Sequence, residues 1–235
     1  MKKNKIIAHR GAWKEFDLPE NSIASLKKAI SLGCYGSEFD VHLTKDRIAV
    51  VAHDHMFHDL PIETTNYNEL LHYKLANGEL LSTVEDFLAI GLNQTSTKLF
   101  LEIKTSEIGG THRTKELVDV IVDSLPDKAN PSILEFILFD LEAAIYLKNL
   151  NPEYLVHYLE GDKSAEEISK IGIDGMDYNW KLLNKDADLI KSFKNFNLKT
   201  NAWTVNDLQI ANNFLLQGID CITTDVPALF LKKLS

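Results

Sequence analysis

Residues 37–54 read SEFDVHLTKDRIAVVAHD, two strand-like runs joined only by the turn around Lys45 and Asp46. A parallel crossover takes about a dozen residues, so a connection this short joins antiparallel partners. The second run therefore belongs to a two-stranded ribbon over residues 41–53. Set aside, it leaves eight β-rich runs: 6–10, 37–41, 99–104, 135–139, 154–159, 175–179, 200–204 and 221–225. Helical patterns follow at 22–32, 83–92, 112–125, 142–150, 164–171, 184–196, 207–217 and 227–234. Asn21 or Ser22 and Asn206 suit helix N-caps, and Pro227 suits a first helical turn.

Eight strands alternating with eight helices in 235 residues predict an α/β fold closed as a (β/α)8 TIM barrel. The ribbon rises from the C-terminal mouth and returns, delivering His53 and Asp54 to the strand ends. The expectation is a single barrel domain over 1–235, with 41–82 as the ribbon and an excursion over the mouth. An open doubly wound sheet competes, but no Gly-rich phosphate loop follows the first run.

The net charge of −9 and pI near 5.4, with scattered basic residues, argue against nucleic acid as a partner. The longest apolar stretch, ILEFILFDLEAAIYL, is broken by Glu135, Asp140 and Glu142, so no membrane insertion is expected. No signal-like apolar region follows the basic start, and the chain reads as cytoplasmic, although a processed secreted protein would look the same. Cys34 and Cys221 read as buried thiols. No pattern specifies an oligomer.

The polar residues fall at the strand ends. The run IIAHRG (6–11) stops being apolar at His9 and Arg10, which need partners or a polar cup. Glu38 and Asp40, and Glu102 and Lys104, are i, i+2 pairs that share a sheet face. Three crowded carboxylates repel one another unless a cation sits among them, and all-oxygen donors suit Mg2+ or Ca2+. Arg10 and Lys104 offset the remaining charge and hold an anion. His9 and His53 suit general acid and base roles. Together these groups point to phosphoryl chemistry. His42 reads as a solvated ribbon residue, and His157 as a packed, hydrogen-bonded strand residue.

The blocks HRG, PENS, SEFDVHLTKDRIAVVAHD, LFLEIK, NAWTVND and ITTDVP resemble the glycerophosphodiester phosphodiesterase family, of the phospholipase C-like phosphodiesterase superfamily. Their order runs over nearly the whole chain, although 54–71, DHMFHDLPIETTNYNELL, lacks the Arg-containing turn common there. The resemblance implies a TIM barrel, a divalent metal (Ca2+ or Mg2+), and hydrolysis of a small-molecule glycerophosphodiester to glycerol 3-phosphate and an alcohol. It implies acid/base roles for His9 and His53, metal ligation by Glu38, Asp40 and Glu102, and phosphate contacts by Arg10 and Lys104. Glu20 and Trp203 match substrate-side positions. Asn21 reads as a helix cap. A diesterase acting on lysophospholipids or glycerol-phosphate polymers, and a barrel that binds phosphodiesters without turnover, are the alternatives.

Overall fold

The computed structural model describes residues 4–125 and 133–234. Its strands are β1 (Ile6–Ala8), β2 (Gly36–Leu43), β3 (Ala49–Val51), β4 (Met56–Phe57), β5 (Leu60–Pro61), β6 (Lys98–Ile103), β7 (Leu134–Leu138), β8 (Leu155–Tyr158), β9 (Gly175–Asn179), β10 (Lys199–Trp203) and β11 (Cys221–Thr224). Its helices are α1 (Ile23–Leu32), α2 (Tyr67–Leu70), α3 (Val84–Gly91), α4 (Gly110–Asp123), α5 (Leu141–Leu150), α6 (Ala165–Lys170), α7 (Trp180–Lys185), α8 (Leu189–Asn195), α9 (Leu208–Leu216) and α10 (Pro227–Leu234).

Parallel pairing runs β1–β2–β6–β7–β8–β9–β10–β11 and back to β1. The eight-stranded barrel is closed, as the alternation predicts. Period-two alternation sorts its side chains. Phe39, Leu101, Phe136, Met176 and Ile222 face the surrounding helices in the main apolar core. Ile7, Phe100, Ile137, Leu159 and Cys221 pack in the lumen, with Phe139 and Trp203 beside them. Cys34 and Cys221 are both buried and unbonded to each other.

The antiparallel ribbon forms as expected, with Val41 opposite Val51 and Leu43 opposite Ala49. The excursion that follows carries the β4–β5 hairpin and a small core of its own around Phe57, Ile62, Leu70 and Leu81. Its anchor is Glu63, which accepts from Ser106 Oγ (2.5 Å), the Glu107 amide (2.9 Å) and Arg113 Nε (3.2 Å).

Two local expectations fail. The helix expected over 184–196 is two, α7 and α8. Asp186 interrupts it by accepting the Asp188 amide on its side chain, the local competition that makes Asp a poor helix-interior residue. The cap of α9 is Asp207, whose side chain accepts the Gln209 and Ile210 amides. Asn206 instead bonds Thr224 and Asp225.

Candidate active site

The first strand stops at Ala8 because the chain turns sharply there. Arg10 adopts a left-handed conformation (φ 55°) and Gly11 follows at φ 81°. A Cβ on Gly11 would lie 2.4 Å from Ser25 Oγ, so only glycine fits against α1. The turn aims the Arg10 amide at Glu38 Oε2, 2.7 Å away.

β2 and β6 then bring Glu38, Asp40 and Glu102 together. One carboxylate oxygen from each lies within 4.8 Å of the others. Asp40 is tightly held. Asn21 donates to its Oδ2 at 2.8 Å and accepts its amide at 3.1 Å, while Lys104 Nζ approaches its Oδ1 at 3.2 Å. Asn21 is thus not the cap of α1; Ser22 is. Lys104 also lies 2.8 Å from Glu102 Oε1.

The charges are unevenly balanced. Burial pushes Asp40 up, but Lys104, His53, Asn21 and Arg10 outweigh it and hold the carboxyl below its usual range. Burial, then the charges of Asp40 and Glu102, drive Glu38 well above the carboxylate range. Burial and Asp40 push Glu102 up to about 7. Glu38 Oε1 is buried without a hydrogen bond. Crowded, under-neutralised oxygens with an orphaned lone pair are the donor set that a hard divalent cation satisfies.

Two histidines flank this cluster. His9 Nδ1 donates to Asp225 Oδ1 and His53 Nδ1 to Asp54 Oδ1, each at 2.7 Å. A carboxylate only accepts, so both rings carry Nδ1–H in these bonds, and each Nε2 has no partner among the described residues. Burial, with Lys104 and Arg10 nearby, keeps the His53 imidazole below its usual pKa. His42 is buried rather than solvated: its Nε2 donates to the His53 carbonyl at 3.0 Å, and its ring stands edge-on to His55 under the excursion.

His9, Arg10, Glu38, His53, Glu102 and Lys104 line one side of a cavity of about 150 Å3. Its other side is Ile137, Phe139, Leu159, Asp177, Trp203, Thr204 and Thr223. Trp203 stands edge-on to Phe139 and donates its indole N–H to the Asp177 carbonyl at 2.8 Å. Glu20 lies outside the cavity lining and accepts both of its 3.0 Å bonds from Arg10 Nη1. These bonds hold the Arg10 guanidinium. His157 lies deeper in the lumen, donating to Glu135 Oε2 at 2.7 Å.

Asp225, Asp54, Asn21 and Asp177 escaped selection from sequence. Asp54, Asp225 and Asn21 stand within the blocks that resemble the family, Asp54 beside His53, Asp225 after the last barrel strand, and Asn21 where a helix cap is expected. Asp177 carries no local signal of its role.

The profile of the glycerophosphoryl diester phosphodiesterase family matches residues 9–229. An uncharacterized protein of Mycoplasma genitalium is 30% identical, over 91% of each chain. A glycerophosphodiester phosphodiesterase of Caldanaerobacter subterraneus is 28% identical, over 96% of this chain and 95% of its own. Among solved structures, a glycerophosphodiester phosphodiesterase from Parabacteroides distasonis superimposes with a TM-score of 0.93 at 34% identity, covering 99% of this chain and 96% of that one. A phosphodiesterase from Oleispira antarctica, solved with the product sn-glycerol-3-phosphate, gives 0.83 at 26% identity, over 98% and 96%. With this fold, this cavity and a family match over nearly its whole length, the chain belongs to the glycerophosphoryl diester phosphodiesterase family and is an enzyme of glycerophosphodiester hydrolysis.

Proposed function

We propose that this chain, a single barrel domain over 1–235, hydrolyses small glycerophosphodiesters to glycerol 3-phosphate and an alcohol with a divalent cation, Ca2+ or Mg2+, in its site. The observation that carries the reading is a cluster of three carboxylates within 4.8 Å, two of which, Glu38 and Glu102, line one cavity with two histidines whose Nε2 atoms are free. Glu38, Asp40 and Glu102 would hold the cation, which would neutralise charge on a phosphate oxygen and acidify a nearby hydroxyl.

Arg10 and Lys104 bind the phosphate. The 2-hydroxyl of the glycerol attacks phosphorus and gives its proton to Nε2 of one histidine. The P–O bond to the alcohol breaks, and the other histidine, which enters the step protonated at Nε2 as well as Nδ1, gives its Nε2 proton to the departing oxygen. Water then opens the cyclic phosphate, with the histidines in reversed roles. Internal attack has a large effective molarity, which accounts for the requirement for a glycerol substituent. Trp203 packs against the substrate, and Glu20 serves through Arg10. The chemistry needs neither nucleic acid nor membrane insertion. Among the described residues no helix is long and apolar enough to cross a membrane.

Release of glycerol 3-phosphate from glycerophosphoethanolamine, after EDTA treatment and after restoring Ca2+ or Mg2+, tests the proposal. Metal-restored release supports it. Equal release with and without metal ends the metal role, and no release with any metal redirects the search to lysophospholipids and glycerol-phosphate polymers.

A further inference from the structure

Asp177, near the middle of β9, has no part in the chemistry above. It is only 2% exposed, yet it lines the cavity on the wall otherwise built from Ile137, Phe139, Leu159 and Trp203. It also lines the small cavity deeper in the lumen, so it marks the inner end of the site.

Its orientation is fixed from two sides. Oδ1 accepts from Asn201 Nδ2 at 2.8 Å, and the same amide group donates to Thr223 Oγ1 at 2.8 Å. The Asp177 backbone carbonyl accepts the Trp203 indole N–H. Oδ2 accepts nothing among the described residues. This oxygen is not among the enclosed atoms that lack a partner, so it is accessible, and a donor entering the cavity that Asp177 lines can reach it. Burial pushes this carboxyl up to about 6, against the opposing pull of Asn201, His157 and His9, so at neutral pH it is mainly an anion.

On the reading that the site cleaves glycerophosphodiesters, each donor of the substrate can be assigned. The phosphate goes to Arg10 and Lys104, and the 2-hydroxyl is committed to attack. The departing alcohol must lie toward the mouth to leave. The terminal hydroxyl of the glycerol is left over, on the half of the molecule that goes deepest. We propose that Asp177 Oδ2 accepts a hydrogen bond from this terminal hydroxyl and so selects diesters of free glycerol. In a lysophospholipid acylated at that oxygen the donor is gone and a chain takes its place, so Asp177 discriminates against this class. Asn201 acts behind it as a positioning residue.

The test is calorimetric binding, with divalent cation present, of sn-glycerol 3-phosphate and of its terminal-deoxy analogue, 1,2-propanediol 1-phosphate. Wild type should bind the deoxy analogue about 10- to 100-fold more weakly, the usual worth of a hydrogen bond to a charged acceptor. Asp177→Ala should bind both ligands with the same, weaker affinity. If Asp177→Ala fails to fold, Asp177→Asn, which keeps the volume and can still pair with Asn201, should show a smaller ratio than wild type. Equal affinities in wild type, or a variant that weakens both ligands by the same factor, overturns the assignment. Binding needs no turnover, so an absence of hydrolysis counts against the phosphodiesterase reading alone.

Discussion

His9 and Asp225 meet at 2.7 Å across the seam that closes the barrel, one just past β1 and the other just past β11. Parallel pairing of Ala8 with Thr224 sets them side by side, although 216 residues separate them in sequence. Asp225 is itself fixed by Asn206, which donates to its Oδ2, and by Lys14 at 3.5 Å. The imidazole is therefore presented with a defined tautomer.

Asp225→Asn should lower turnover about 10- to 100-fold with little change in substrate affinity, because the amide no longer enforces Nδ1–H. Steady-state kinetics on glycerophosphoethanolamine decides it, and a change confined to KM would remove the orienting role. A stability effect accompanies it. Burial pushes Asp225 up, but His9, Asn206 and Lys14 outweigh it and hold the carboxyl at about 2. A depressed folded-state pKa stabilises above the ordinary carboxylate range and ceases to do so as pH falls through the folded value. The stability gap between wild type and Asp225→Asn should accordingly narrow from about pH 4 toward pH 2 in urea unfolding. A gap that stays constant would show that the pair contributes nothing through ionisation.

Glu38, Asp40 and Glu102 should make the protein more stable with divalent cation than without. A ligand bound only by the folded state stabilises by about 2.7 kcal/mol at a hundredfold excess over Kd. Saturating Mg2+ or Ca2+ should raise Tm by several degrees in the wild type and by clearly less in Glu102→Gln. Unchanged cation affinity in that variant would take Glu102 out of the ligand set.

His53→Ala should cost about 10²- to 10⁴-fold in turnover while the fold persists, since its side chain is one-third exposed and packs little. Wild-type rates with a normal circular dichroism spectrum would end its acid/base role.

The barrel was legible because its strands are punctuated at a steady rhythm, and the ribbon because a connection as short as residues 44–48 permits one pairing sense. The tips carrying Glu38, Asp40, Glu102 and Lys104 were legible because an i, i+2 spacing survives folding unchanged. What sequence hid is contact across the barrel. Nothing near Asp177 announces that β10 brings Asn201 against it, or that Trp203 reaches back to its carbonyl. His42 looked solvated because the ribbon was read without the layer that the excursion lays over it.

Asn21 is the clearest of these hidden residues. Both of its side-chain polar atoms bond Asp40, and its left-handed backbone (φ 51°) is one that Asn tolerates better than most residues. Asn21→Ala should leave the Asp40 amide unpaired, costing about 1–3 kcal/mol of stability. It should also weaken divalent-cation binding by loosening Asp40. Loss of stability with full cation affinity would confine Asn21 to folding.

Glu63 tests whether the excursion is an independent flap or part of the barrel wall. Its carboxylate gathers Ser106, the Glu107 amide and Arg113, and Arg113 in turn donates to the Thr44 carbonyl at 2.7 Å, tying excursion, ribbon and α4 together. Removing one partner of a buried ion pair strands the other, typically for about 3–5 kcal/mol. Glu63→Ala should thus destabilise the whole protein in a single cooperative transition, and Glu63→Gln should do so less, because the amide still accepts one of the bonds. If the excursion were a flap, amide exchange would rise only over 54–82 and the global midpoint would stay put. Because His53 enters the site from the strand that leads into this segment, a global loss with Glu63→Ala would mean that the acid/base geometry is held by the same ion pair that holds the wall.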